Sequence, residues 1–329
     1  MAQPPAPARV LAAGGRVPDF FIVGQPKSGT TALYEMLRRH PQIFMPDRKE
    51  PRYFASDLPS YYRPWHAGVT EETYEDYLAL FAPARPDQLL GEASTAYAWS
   101  RTAARLIAEA QPGARIILLL REPASYLRSL HMQMLEIGTE KETDLRKALA
   151  LEPARRAGEA VPTVAKDWPQ VLFYSERVRY VEHLRRFHDA FPAEQVLVLI
   201  FEEFRADNQR TVRTVQRFLG VDDTVPFEGV EANMSVRLRS PRGLALFNAV
   251  TAGESATAGA TRQAARLAPG GLRRRARDLF RTRVLYGAPR PPDEPLMAEL
   301  RRRFKPEVEA LSAYLERDLA SLWGYDRAD

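Results

Sequence analysis

The sequence predicts an α/β fold, a three-layer sandwich with a central, mostly parallel sheet. Three observations carry that expectation. ARIILLLRE (114–122) and QVLVLIFEEF (195–204) are continuous apolar runs without alternation, the pattern of strands buried on both faces. DFFIVG (19–24) is a third apolar run, and it opens through a glycine-containing turn into a helical pattern, TALYEMLRRH. Apolar runs that alternate with amphipathic helices read as βα units, which pair in parallel through right-handed crossovers.

The elements follow in order. Pro41 ends the first helix, because the residue before a proline is pushed out of helical geometry. Residues 46–65, rich in proline, arginine and aromatics, read as a long surface loop, and EETYEDYLALF (71–81) as an amphipathic helix. QLLGEAS (88–94) is a strand ending in small polar residues, and RTAARLIAEA (101–110) a helix closed by Pro112-Gly113. Pro123 starts the helix after the 114–122 strand, since its fixed φ suits the first turn. Residues 175–191 form a further helix, and NQRTVRTVQRFLG (208–220) ends on Gly220, a usual C-cap. Residues 221–240 read as a loop. Apolar residues at 308, 311, 315, 319 and 322 predict a final helix, with Pro306 at its start.

Composition excludes several classes. The 329 residues contain no cysteine, which rules out disulfides, thiol catalysis and cysteine-bound metals. With 47 Lys and Arg against 42 Asp and Glu, the net charge is +5. That excess is local. Residues 251–290 carry nine arginines against Glu254 and Asp278, which leaves the rest of the chain slightly acidic. Such a segment suits an anionic surface, and the stretch 262–283 is the candidate contact. Residues 1–17 read as a disordered arm without secretory character, and the expected location is cytoplasmic. Residues 18–329 are expected to form one domain, with a core at 18–240 and a helical C-terminal part at 241–329.

Chemistry concentrates at two strand ends. After the first strand comes Gly24-Gln25-Pro26-Lys27-Ser28-Gly29-Thr30-Thr31. A turn of this kind aims backbone N–H groups and a helix N-terminus at one spot, an anion site by construction. An ATP-binding loop reads G-x-x-x-x-G-K-S/T. Gly24 and Gly29 keep that spacing, but Thr30 stands where the lysine belongs, and the lysine has moved to position 27. At the second strand end, REPASYLRSL (121–130) places Arg121 where α/β sheets bind ligands. Ser129 follows about two helical turns on.

PKSGTT (26–31) resembles the 5′-phosphosulfate loop of sulfotransferases that use 3′-phosphoadenosine 5′-phosphosulfate (PAPS). The resemblance spans roughly residues 18–240 and implies a metal-free sulfuryl transfer that leaves adenosine 3′,5′-bisphosphate. It assigns Pro26, Lys27, Ser28, Gly29, Thr30 and Thr31 to the 5′-phosphosulfate, with Lys27 also neutralising the leaving phosphate. Arg121 and Ser129 would bind the 3′-phosphate. In NMSVRLRSPRG (233–243), Arg239, Arg242 and Gly243 would close over it, with Arg237 as an alternative register. RKEPRYF (48–54) is similar to the segment of heparan-sulfate-type sulfotransferases in which a glutamate is the base, which puts that role on Glu50. Glu92, in GEASTAY, resembles a second family carboxylate and is the reserve base. The partners implied are PAPS and an acceptor that is a saccharide, a lipid or a natural-product scaffold, with no nucleic acid. Tyr174 and Tyr180 are either ligand contacts or core.

Two other readings are open. A P-loop kinase or NTPase would need an acidic metal ligand, for which Glu202 or Glu203 stands at a strand end. A basic nucleic-acid-binding protein would use the arginine-rich segment and leaves PKSGTT unexplained.

Overall fold

The computed structural model describes residues 15–58, 73–226 and 291–327, together with the backbone of two short strands at 237–238 and 286–287. The chain divides into two compact units. The first comprises residues 1–127, 174–233 and 298–329, and the second residues 128–173 and 234–297.

The first unit contains a five-stranded sheet: β1 (Phe20–Gly24), β2 (Ile43–Phe44), β3 (Leu89–Ala93), β4 (Arg115–Leu120) and β5 (Val196–Ile200). All pairings are parallel, in the order β2-β3-β1-β4-β5. The apolar runs fall where the sequence places them, and β1 and β4 are buried almost throughout. One face packs Phe20, Ile22, Ile117 and Leu119 against Leu33 and Leu37 of α1 (Thr30–Arg38) and against Val212, Val215 and Leu219 of the helix Asn208–Leu219. The alternate residues Phe21, Val23, Ile116, Leu118 and Leu120 are equally buried. Both faces are therefore covered, as a parallel sheet with crossover helices requires.

The strand order positions the site. From β1 the chain moves to β2 and β3 on one side, then returns past β1 to β4 on the other. Ligands bind at such a reversal, outside the carboxyl ends of the strands. The loop after β1 and Arg121 after β4 flank it. Gly24 ends β1 where the register with β4 shifts. A Cβ there would lie 2.5 Å from the Ala98 Cβ, so only glycine lets the loop leave at that angle.

Three local expectations change. IFEEF is not strand: β5 stops at Ile200 and Phe201–Ala206 is helical, with Glu202 and Glu203 in its first turn. Acidic side chains favour that position because the helix N-terminus is electropositive. Pro306 does not start the final helix. It lies inside the helix Glu294–Leu315, whose buried stripe begins earlier, at Met297, Leu300 and Phe304. The chain then breaks at Glu316 (φ 51°), so Leu319 and Trp323 are buried while Leu322 turns outward. The predicted 175–191 helix is a 3₁₀ turn (Tyr174–Val178) followed by an α-helix (Tyr180–His188).

The second unit holds two short helices, Leu145–Ala150 and Glu152–Arg156. Its centre is a fully buried bidentate pair in which both Arg155 terminal nitrogens donate to Glu140 at 2.8 Å. The two-residue strands Arg237–Leu238 and Tyr286–Gly287 pair antiparallel. Among the described residues, no helix is long and apolar enough to cross a membrane. Residues 1–14 of the expected arm, and most of the arginine-rich segment 251–290, lie outside the described residues. Arg16 donates to the carbonyls of Arg85 (3.1 Å) and Gln88 (2.7 Å).

Candidate active site

The loop after β1 is held in an unusual backbone. Lys27 has φ 63° and Gly29 φ 86°, both left-handed. Gly29 is the N-cap of α1, and no side chain caps that helix. The first-turn amides are thus left to a ligand or to water. A Cβ on Gly29 would approach Phe204 at 3.0 Å and Phe201 at 3.2 Å, so glycine is required by both conformation and space. Ser28 and Thr30 are buried. Gln25, also buried, is fixed from two sides: its Nε2 lies 3.1 Å from His183 Nδ1, and its Oε1 accepts from Tyr126 Oη at 3.1 Å. Burial, reinforced by Arg186, Arg177 and Arg179, pushes the His183 imidazole down to about 3, so it is neutral.

Arg121 meets this loop. One terminal nitrogen donates to the Lys27 carbonyl at 2.7 Å, and the guanidinium lies 4.7 Å over the Phe201 ring. Its Nε is buried without a hydrogen-bond partner. Burial lowers its pKa, and Glu202 counteracts that. Tyr180 Oη donates to the Arg121 carbonyl at 2.9 Å, which makes Tyr180 a support of the site rather than a lining residue, and Tyr174 is core. Ser129 lies further along the Pro123–Glu136 helix, buried, in the second unit. Arg239, Arg242 and Gly243 lie outside the described residues, as does the side chain of Arg237.

Two carboxylates lie on the β3 side, in contrasting states. The 50–52 loop docks on the end of β3: Glu50 N–H donates to the Ala93 carbonyl at 3.0 Å, and Arg52 N–H to Ser94 Oγ at 3.0 Å. Both residues have φ 60°. That turn brings Arg52 back onto Glu50, which also pairs with Lys49 at 3.2 Å and accepts from Thr95 Oγ1 at 3.2 Å. Burial alone would raise the Glu50 pKa, but Lys49 and Arg52 outweigh it and hold the carboxyl at about 2. About a quarter of its side chain remains exposed, at 23%.

Glu92 is fully buried, at 0% exposure. Tyr77 and Tyr97 both donate to its Oε2, at 2.7 and 3.0 Å, while Oε1 lacks a partner of ordinary geometry. Burial pushes its pKa up to about 7, against the lowering effect of Ser94 and the two tyrosines. The folded protein therefore keeps a proton that the unfolded chain releases near 4.5. Stability contributed by this site is full below that pH and is lost as pH rises through 7. Glu92→Gln keeps the tyrosine bonds and removes the ionisation. Its unfolding free energy, read from denaturant melts, is expected to match the parent's below about pH 4.5 and to exceed it at about pH 8 by a few kcal/mol.

The sequence reading missed the supporting residues: Gln25, His183, Thr95, Tyr77, Tyr97 and Phe201. Gln25 sits within the Gly24–Thr31 turn and Thr95 and Tyr97 within GEASTAY, but no spacing marks their roles, and only the fold brings the six to their partners. Glu202 and Glu203 are already engaged, by Trp323 Nε1 at 2.9 Å and Arg317 at 2.6 Å. A cavity of about 500 Å³ lined by Arg38, Arg39, His40, Asp47 and Arg48, among others, lies apart and includes none of the candidate residues.

Comparison with known proteins agrees with this architecture. A crystal structure of a sulfotransferase from Alicyclobacillus acidocaldarius superposes with a TM-score of 0.65 at 26% identity, covering 94% of this chain and 99% of that one. Bifunctional heparan sulfate N-deacetylase/N-sulfotransferase 3 of Homo sapiens is 27% identical over 206 residues, 63% of this chain and 22% of its own length. Heparan sulfate glucosamine 3-O-sulfotransferase 3A1 of Mus musculus is 28% identical over 221 residues, 67% of this chain and 50% of its own. The chain thus spans between about a fifth and a half of these curated relatives. The sequence profile of the sulfotransferase family matches residues 18–225, nearly two thirds of the protein, and the chain belongs to that family of enzymes.

Proposed function

We propose that the protein transfers a sulfuryl group from PAPS to a hydroxyl or amine of a saccharide. One observation carries the donor assignment: an uncapped helix N-terminus lies in the same loop that receives a partly buried Arg121 whose buried Nε has no partner. Unused donors of this kind, lined up on two strand ends, suit a ligand with an anionic group at each end. Pro26–Thr31 would hold the 5′-phosphosulfate and Arg121 the 3′-phosphate. PAPS supplies the sulfuryl group. Lys27 is placed to offset the charge that grows on the departing phosphate, a role confined to the transition state.

Glu50 is the proposed base. Access decides before basicity: a proton acceptor must reach the acceptor group, and Glu50 is partly exposed while Glu92 is enclosed by two tyrosines. The saccharide acceptor is favoured by the names of the curated relatives, which are heparan sulfate and glucosamine sulfotransferases.

The donor assignment is tested by titration calorimetry. The protein is expected to bind adenosine 3′,5′-bisphosphate at least roughly tenfold more tightly than adenosine 5′-monophosphate, because the extra phosphate meets a charge-assisted donor. Equal affinities would remove Arg121 from the site.

A further inference from the structure

The sulfotransferase match ends at residue 225, yet the C-terminal residues reach back to the two strand ends on which Arg121 depends. We propose that Tyr325 and Trp323 are positioning residues for the 3′-phosphate end of the donor site. This rests on the donor assignment above.

Adjacent strands β4 and β5 end in the same way. Each is followed by a residue that builds the site and then by a glutamate: Arg121-Glu122 and Phe201-Glu202. The guanidinium of Arg121 lies over the Phe201 ring, so the two strand ends must keep their spacing for the arginine to keep its place. The glutamates tie them together, since the Glu122 N–H donates to Glu202 Oε1 at 3.2 Å. Glu122 also caps the helix that follows, accepting from Ala124 N–H at 3.0 Å and Ser125 N–H at 2.7 Å.

These carboxylates are a hazard to Arg121. Both attract its guanidinium, and an arginine drawn into an ion pair is lost to phosphate. The C-terminal segment occupies them instead. Tyr325 Oη donates to Glu122 Oε1 at 2.7 Å, and Trp323 Nε1 donates to Glu202 Oε2 at 2.9 Å. Arg301 stands 3.8 Å from Glu122, and Arg317 pairs with Glu203 at the rim. Tyr325 is fully buried and Glu122 and Trp323 nearly so, which gives these hydrogen bonds their weight. Each glutamate is thereby held to a neighbour other than the arginine.

Tyr325→Phe, which keeps the ring, and Trp323→Phe, which shortens the indole to a single ring, test this singly and together. Each is expected to weaken adenosine 3′,5′-bisphosphate roughly tenfold, the scale of one hydrogen bond to a charged group, while adenosine 5′-monophosphate binds as before. In turnover, KM for the donor rises and kcat at saturation stays. Leu322→Ala, at the exposed position just before Trp323, should leave both affinities unchanged. Parallel loss of both nucleotides would mean a merely structural role and overturns the proposal, as would no change in either. Should Trp323→Phe fail to fold, Tyr325→Phe, which removes a single oxygen, decides between these outcomes on its own. A parent protein that does not prefer the bisphosphate would instead bring down the donor assignment itself.

Discussion

Lys27→Ala is expected to lower turnover at least ~100-fold, about 2.7 kcal/mol of transition-state stabilisation, by analogy with losing one preorganised donor. The loss should fall on kcat rather than on nucleotide affinity. The Lys27 carbonyl, which accepts from Arg121 and ties the loop to β4, is kept by the substitution. The Gln25 anchorage to His183 and Tyr126 is likewise untouched by the substitution. Adenosine 3′,5′-bisphosphate should therefore bind with near-parental affinity in calorimetry while steady-state transfer collapses. Near-normal turnover would refute the role given to Lys27.

The second large effect concerns the carboxylates. Glu50→Gln is expected to cut turnover roughly 100-fold, the lower range for losing a positioned base, while leaving nucleotide binding intact. Glu92→Gln should keep turnover, because Gln accepts the same tyrosine bonds. The pH dependence separates the two candidates further. A base works only when deprotonated, so the rate rises as pH passes its pKa. With Glu50 held at about 2, kcat should be flat between about pH 5 and pH 8. A limb with an apparent pKa near 7, abolished in Glu92→Gln, would move the role to Glu92. Retained turnover in Glu50→Gln together with loss in Glu92→Gln would say the same.

The framework was legible because burial on both faces leaves a simple trace. RIILLL is apolar from its second residue on, so it can only be an interior strand, and the Gly24–Thr31 turn announces its own left-handed kink at Gly29. IFEEF misled because Phe201 and Phe204 prolong the apolar run, although they are spaced for a helix and pack toward Gly29. Pro306 misled because a proline is far more common at a helix start than inside one. The short helices at 145–156 carry too few apolar residues to show a period. At the site, the candidate residue types could be read, but their protonation states could not. Glu50 has charged neighbours in sequence, yet its low pKa depends on a backbone turn that returns Arg52 to it. Glu92 owes its high pKa to enclosure, and one of its two tyrosine partners lies fifteen residues upstream.

The left-handed backbone at Lys27, Glu50 and Arg52 has a bearing on how this enzyme would respond to directed evolution. Each position strains an L-residue by on the order of 1 kcal/mol, a cost that glycine escapes. At Glu50 and Arg52 the ion pair opposes that pressure, so a library screened for heat tolerance alone would drift toward glycine at Lys27, and in doing so discard the ammonium on which transfer is proposed to rely. Hardiness and turnover pull against each other here, so any screen for robust variants needs an activity gate from its first round.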